Sequence, residues 1–197
     1  MPHPLFTIGH SNHSIATFIA LLQQHHIEVL ADVRSIPASR RHPQFNKAAL
    51  DQSLADAGIR YVFLGRELGA RREEPGAFED NAVSYERTAR LPAFQHGLAW
   101  IREQSAEQCI ALMCAEKDPL TCHRTILICR HLRAAFPGRI QHILADGNLE
   151  SHVDLEQRLL TATGEAANQD DLFAEDGDSP LDRAYRRRGK AMAWHRP

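Results

Sequence analysis

Cys109-Ile110-Ala111-Leu112-Met113-Cys114-Ala115-Glu116-Lys117-Asp118-Pro119-Leu120-Thr121-Cys122-His123-Arg124, continuing through Thr125 to His131, is the stretch whose reading decides the fold. It opens on an apolar run, Cys109 to Cys114, of the length of a buried strand. Glu116 to Pro119 then turns, because proline fixes φ and cannot continue a helix. Thr121 is placed to cap a new helix by accepting a free N–H of its first turn. Cys122, His123 and Arg124 would then stand at a helix N-terminus beside the carboxyl end of a strand. Sheets of the α/β class hold their ligands at that edge, and unpaired N–H groups with the helix dipole favour anions.

Outward from this stretch, strand and helix alternate. Leu5–Ile8 reads as a first strand, followed by a helix capped by Ser14 with Ile15, Phe18, Ile19 and Leu22 on one face. Ile27–Val33 is a second strand, and Ser35–Phe45 an irregular basic loop. Asn46 opens a helix closed by Gly58, and Ile59–Leu64 is a third strand running into a basic, glycine-bearing loop, Gly65 to Arg72. Glu73–Asp80 reads as more loop. Ser84–Glu103 reads as helix, broken or kinked at Pro92. After the organising stretch come a fifth strand, Ile140–Leu144, a turn at Gly147-Asn148, and a helix with Ser151 and Asp154 as its capping box. The pattern predicts an α/β domain over residues 1–162, with a mainly parallel sheet of about five strands flanked by helices. Residues 163–197 form a charged tail, acidic over Asp170–Asp178 and basic over Asp182–Arg196, either disordered or docked as one helix.

With 197 residues and 43% apolar content the chain can bury a real core. A net charge of −2 argues against binding nucleic acid by bulk charge and leaves room for a local patch. Four cysteines are too few for a disulfide scaffold. No run reaches the roughly 18 apolar residues of a membrane span, and Met1-Pro2-His3-Pro4 lacks a signal-peptide pattern. The expectation is a cytoplasmic protein with reduced thiols and no membrane partner. Neither a glycine-rich dinucleotide fingerprint nor a Walker loop is present.

Four clusters follow the ends of predicted strands: His10 and Ser11, Asp32 and Arg34, the Gly65–Arg72 loop, and Cys114–Arg124. A parallel sheet brings those ends to one edge, so distant residues converge on one pocket. Gly9-His10-Ser11, Asp32-Val33-Arg34, Pro37-x-Ser39-Arg40 with Phe45, Leu64-Gly65, Leu68-Gly69, Cys114-Ala115-Glu116-Lys117-Asp118-Pro119 and Cys122-His123-Arg124 stand in this order. From about Phe6 to Leu144 the chain resembles the domain of unknown function 488 family of bacteria and archaea. That family often has a Gly-Gly pair where this chain has Gly69-Ala70. The resemblance implies a compact α/β domain and a pocket, and it supplies no reaction.

Residue chemistry therefore has to carry the function. Arginine pairs bidentately with phosphate or carboxylate, so Arg34, Arg40, Arg71, Arg72 and Arg124 near one sheet edge point to an anionic ligand. Ser11, Arg34, Ser39, Arg40, Gly65 and Arg124 form the expected ligand-binding set. Asp32 and Glu116 are candidate acids or bases, His10 and His123 candidate proton carriers. Cys114 and Cys122 read three ways: as reactive thiols favoured by Arg124 and a helix N-terminus, as zinc ligands with His123 and His10, or as small apolar side chains packing a strand end. The leading expectation is an enzyme without metal or cofactor. It would hydrolyse or transfer a group on a phosphate-bearing substrate, a small molecule or a nucleic acid. The alternatives are an anion- or nucleic-acid-binding module without turnover, and a zinc-stabilised domain.

Overall fold

The computed structural model describes residues 3–165 and 178–196. The apolar runs become strands buried on both faces: β1 (Leu5–Gly9), β2 (Val29–Asp32) and β6 (Ile110–Cys114) carry no exposed residue. Between β2 and β6 come α2 (Lys47–Asp56), β3 (Arg60–Phe63), α3 (Gly65–Leu68), a hairpin of β4 (Phe78–Glu79) and β5 (Ala82–Val83), α4 (Tyr85–Thr88) and α5 (Pro92–Gln104). After β6 a π-helical stretch, Arg124–Cys129, runs into α6 (Arg130–Leu132), then β7 (Ile140–Ile143), β8 (Leu149–Ser151), α7 (His152–Thr163) and α8 (Pro180–Met192). The first crossover helix is α1 (Ile15–Gln24).

The main sheet has the order β3-β2-β6-β1-β7-β8 and is parallel except for β8. Side chains alternate between its faces with the two-residue period of a strand. Phe6, Ile8, Leu30, Ala111 and Met113 pack with Phe18, Leu22, Leu50 and Leu54 on one side. Leu5, Val29, Ala31, Ile110 and Leu112 pack with Phe94, Leu98, Ile126 and Leu155 on the other. This is a three-layer α/β architecture, as the alternation predicted.

Three local readings are corrected. The sheet has six strands, because Gly147, at φ 86°, turns the chain back onto the free edge of β7 and β8 pairs antiparallel there. The polar stretch before Ser84 contains a hairpin whose Asp80 and Asn81 both take positive φ, the turn geometry that matches strand twist. Thr121 does not cap a helix. Asp118 caps a single 3-10 turn, Pro119–Thr121, and the Thr121 hydroxyl donates back to the Asp118 carbonyl. Cys122 is extended, and the helical path starts at His123.

Within the span read as a charged tail, α8 buries Ala184 and Tyr185 against the domain; Asp170–Asp178 lies, except for Asp178, outside the described residues. A buried hydrogen-bond chain joins α8 to the sheet. Arg124 Nε donates to Thr7 Oγ1 (3.4 Å), which bonds His142 Nδ1 (2.8 Å). His142 Nε2 meets His152 Nδ1 (3.0 Å), His152 Nε2 meets the Tyr185 hydroxyl (3.1 Å), and that hydroxyl donates to Glu156 (2.9 Å). One polarity satisfies every link: each ring is neutral, accepts a hydrogen bond at Nδ1 and donates one from Nε2–H. Tyr185→Phe removes two of these bonds at once and is expected to lower stability by about 1–3 kcal/mol, read by urea unfolding with the native circular dichroism unchanged. No helix among the described residues is long and apolar enough to cross a membrane.

Candidate functional site

The chain leaves β1 toward one face of the sheet and β6 toward the other, so the crevice between these neighbours is the topological switch point. Their pairing runs past the strand ends, His10 N–H donating to the Cys114 carbonyl (2.8 Å) and Ser11 N–H to Ala115 (2.9 Å). Gly9 allows this closeness: a Cβ there would stand 1.9 Å from the Glu116 carbonyl oxygen. Gly65 has the same kind of reason, since a Cβ would meet the Arg34 carbonyl at 2.1 Å. Its role is this close packing; expected from the sequence as a ligand contact, it does not line the cleft above this edge.

A cleft opens over this edge in two adjoining lobes that share Arg34, Ile36, Ala38 and Ala115. The inner lobe, ≈ 300 Å³, is completed by Ser35, Ala70, Arg71, Cys114, Glu116 and His123. The outer lobe, ≈ 630 Å³, is completed by His10, Ser11, Asn12, Ser39, the Arg40-Arg41 pair and His42. Most of the residues singled out from the sequence are therefore brought together. Ile36, Arg41 and Arg71 belong to the lining as well, and Ile36, 56% exposed, is its apolar element. An isoleucine left bare in a loop rich in arginine was the signal for it.

Asp32 and Arg124 are placed elsewhere. Asp32 is 0% exposed. It binds Arg34 through Nε (2.9 Å), Nη2 (2.7 Å) and the backbone N–H (3.1 Å), and accepts from the Tyr61 hydroxyl at 2.8 Å. With its lone pairs so occupied it orients Arg34 and reaches no ligand. Arg34 Nη2 also donates to the Phe45 carbonyl (2.8 Å), which leaves Nη1 as the nitrogen without a partner among the described residues. Arg124 is 0% exposed and lies under the floor, its Nη1 donating to the Glu116 carbonyl at 2.8 Å. Arg72, also buried, donates to the carbonyls of Arg66 and Glu67 and ion-pairs with Glu74, so only Arg71 of that pair faces the cleft.

Beneath the inner lobe the ligand atoms of Cys114, Glu116, Cys122 and His123 lie within 4.8 Å of one another. His123 Nδ1 is 3.5 Å from Cys114 Sγ and 4.0 Å from Cys122 Sγ, and Cys122 Sγ is 3.0 Å from Glu116 Oε2. His123 Nε2 donates to the Val33 carbonyl at 3.0 Å, which turns Nδ1 toward the sulfurs. His10 stands outside this group. Its Nδ1–H bonds the Ser11 carbonyl (3.0 Å) and its ring stacks on Phe45 at 4.4 Å. Glu116 thus takes the place that the sequence reading gave to His10 beside the two thiols.

A family model for a domain of unknown function, DUF488, matches residues 14–130, more than half of the chain. The chain belongs to the DUF488 family. No curated protein and no solved structure shows significant similarity to it. In this DUF488 chain the match ends just beyond the Cys122-His123-Arg124 motif, so β1, β7, β8, α7 and α8 lie outside the matched span.

Burial sets the electrostatics of the DUF488 site. Burial opposes a thiolate at Cys122, yet the Cys114 thiol, the Arg124 guanidinium and His123 together hold its pKa well below the ordinary thiol value. Burial and the neighbouring Cys122 push Cys114 the other way. Glu116 is exposed as a residue, yet its carboxyl leans over the buried thiols, and desolvation there and then Cys122 raise it. His123 is raised despite burial, because Cys122 and Glu116 favour the imidazolium. His10 is lowered to about 4, chiefly by burial, so its ring is neutral near pH 7 with Nε2 as an acceptor. Cys114 and Cys122 are 3% and 0% exposed, which denies a bulky electrophile direct approach to either sulfur.

Proposed function

We propose that the cleft binds a phosphate-bearing ligand, a nucleotide or the end of a nucleic acid, and that the protein hydrolyses it or transfers a group from it. The observation that carries this reading is the charge of the cleft wall. Arg34, Arg40, Arg41 and Arg71 line the two lobes, against the single carboxylate of Glu116. Guanidinium forks match phosphate oxygens, and Asp32 pre-orients Arg34 for the purpose. Ile36 offers an apolar face to a nucleobase between the lobes, which favours a nucleotide over inorganic phosphate. Glu116 and His10 are the groups that can move protons beside the bound ligand, Glu116 from the inner lobe and His10 from the outer.

The double variant Arg40→Glu/Arg71→Glu tests the reading. Both residues are exposed at the rim, so thermal unfolding is expected to stay within a degree or two of the parent. Loss of two charge-assisted bonds should weaken binding of a nucleoside monophosphate at least about tenfold. Unaltered affinity, measured by calorimetric titration, would remove the rim from the site. A module that binds without turnover has one observation on its side: Asp32 is consumed by its ion pair, so the cleft keeps a single carboxylate. Incubating wild type and Glu116→Gln with nucleotides and oligonucleotides under mass-spectrometric detection separates the two. Product from wild type alone supports the enzyme, and intact ligand from both supports the module.

A further inference from the structure

We propose that Cys114, Cys122 and His123 hold a zinc ion, with Glu116 as a fourth ligand that a molecule in the cleft can displace. Two sulfurs, a ring nitrogen and a carboxylate oxygen converge from a strand end, an extended residue and the turn between them. Tetrahedral zinc, with Zn–S of about 2.3 Å and Zn–N of about 2.0–2.1 Å, sets sulfur–nitrogen separations of about 3.5 Å. Here they are 3.5 and 4.0 Å, with sulfur–oxygen at 3.0 Å. The sulfur–nitrogen separations match, and the sulfur–oxygen separation is short by about 0.5 Å, so Glu116 would draw back from Cys122 as the ion enters.

The surroundings supply what a metal ligand needs. A ligating histidine gives its other N–H to a carbonyl or carboxylate, which fixes the ring. The Val33 carbonyl takes the Nε2 proton of His123 and leaves Nδ1 facing both sulfurs. Arg124 is a second, independent sign. It is wholly buried, no carboxylate pairs with it among the described residues, and its Nη2 has no hydrogen-bond partner. A buried cation needs a counter-charge. Zinc with two thiolates, one carboxylate and a neutral imidazole carries a net charge of −1, which Arg124 balances. The geometry also distinguishes the ligands. Cys114, Cys122 and His123 are buried, whereas Glu116 is exposed and lines the inner lobe. Three closed ligands and one reachable position are the composition of zinc sites that exchange a ligand. Sulfur and nitrogen donors select zinc over magnesium or calcium.

With zinc bound, Glu116 serves as a metal ligand and His10 is left as the proton carrier of the cleft; the assignment rests on the cluster itself, and its test reads the metal and uses no nucleotide. The full-length chain, freed of metal under reducing conditions, is titrated with Co(II) and then with Zn(II). One equivalent of Co(II) should produce thiolate charge-transfer absorption with tetrahedral d–d bands, and one equivalent of Zn(II) should abolish both. Cys122→Ser should lose the charge-transfer band, whereas Glu116→Gln should keep it and shift the d–d bands. Azide added to the wild-type Co(II) protein should shift them too. X-ray absorption on the wild-type zinc protein gives an arm that needs no folded variant: two sulfur and two nitrogen or oxygen ligands are expected. No saturable equivalent, or a sulfur count other than two, overturns the site. Bands indifferent to Glu116→Gln and to azide overturn the displaceable ligand.

Discussion

Arg124→Met is expected to cost about 3–5 kcal/mol of stability, the range for breaking a buried charged arrangement. The guanidinium spans Thr7 Oγ1 at 3.4 Å and the Glu116 carbonyl at 2.8 Å, and its charge faces the Cys122 thiolate. A thioether fills similar volume but leaves the Glu116 carbonyl and the Thr7 hydroxyl without their donor and removes the positive charge beside Cys122. Arg124→Lys should recover little of the loss, since one ammonium cannot reproduce a planar fork between two acceptors. Urea unfolding of the three proteins checks this. A loss below about 1 kcal/mol for the methionine variant would mean that Arg124 is not the keystone under the floor. The sequence reading of Arg124 as a ligand-binding residue would then regain ground.

Acid is the second large effect. His142 and His152 are both held below the ordinary imidazole value by burial, His142 well below it and His152 at about 4. The unfolded chain takes up protons near pH 6.5 that the native rings refuse, so stability falls as pH falls through that range. For His152 the loss starts near the unfolded value and is complete near pH 4. At pH 5 keeping the His152 ring neutral costs roughly 2 kcal/mol relative to the unfolded chain, from about 1.4 kcal/mol per unit over 1.5 units, and His142 adds a loss of the same sign. Urea unfolding at a few pH values reads this directly. Because Tyr185 donates to Glu156 at the end of the same chain, the loss should loosen α8 first, seen as faster amide exchange over Pro180–Met192. A flat stability profile over this range would show that the rings titrate freely.

The alternation of apolar runs was enough to read the layers and the edge of the sheet where the site lies, because a two-residue period and strand-end loops are local signals. His10, Ser11, Arg34, Cys114 and Glu116 could be placed at the cleft for that reason. What the sequence hid was long-range. Nothing in Asp32-Val33-Arg34 reveals that Tyr61, on the neighbouring strand β3, fills the last lone pair of Asp32, or that Val33 offers its carbonyl to His123. Arg124 stands in a motif with Cys122 and His123 yet lies under the floor, because the chain is extended at Cys122 and turns helical at His123. Likewise, His10 and Glu116 both border the cysteines in a sequence-level sketch. The bond of His10 to the Ser11 carbonyl and its stacking on Phe45 separate them.

Phosphate binding is proposed for the cleft at the carboxyl edge of β1, β2 and β6. Its most direct test is a pair of calorimetric titrations of the wild-type chain, one with a nucleoside monophosphate and one with the same nucleoside lacking phosphate, each at low and high salt. The charged wall predicts saturable one-to-one binding of the monophosphate, weakened by salt, and affinity for the bare nucleoside at least about tenfold lower. Equal affinity for the two ligands, or no binding of the monophosphate at low salt, would contradict the account.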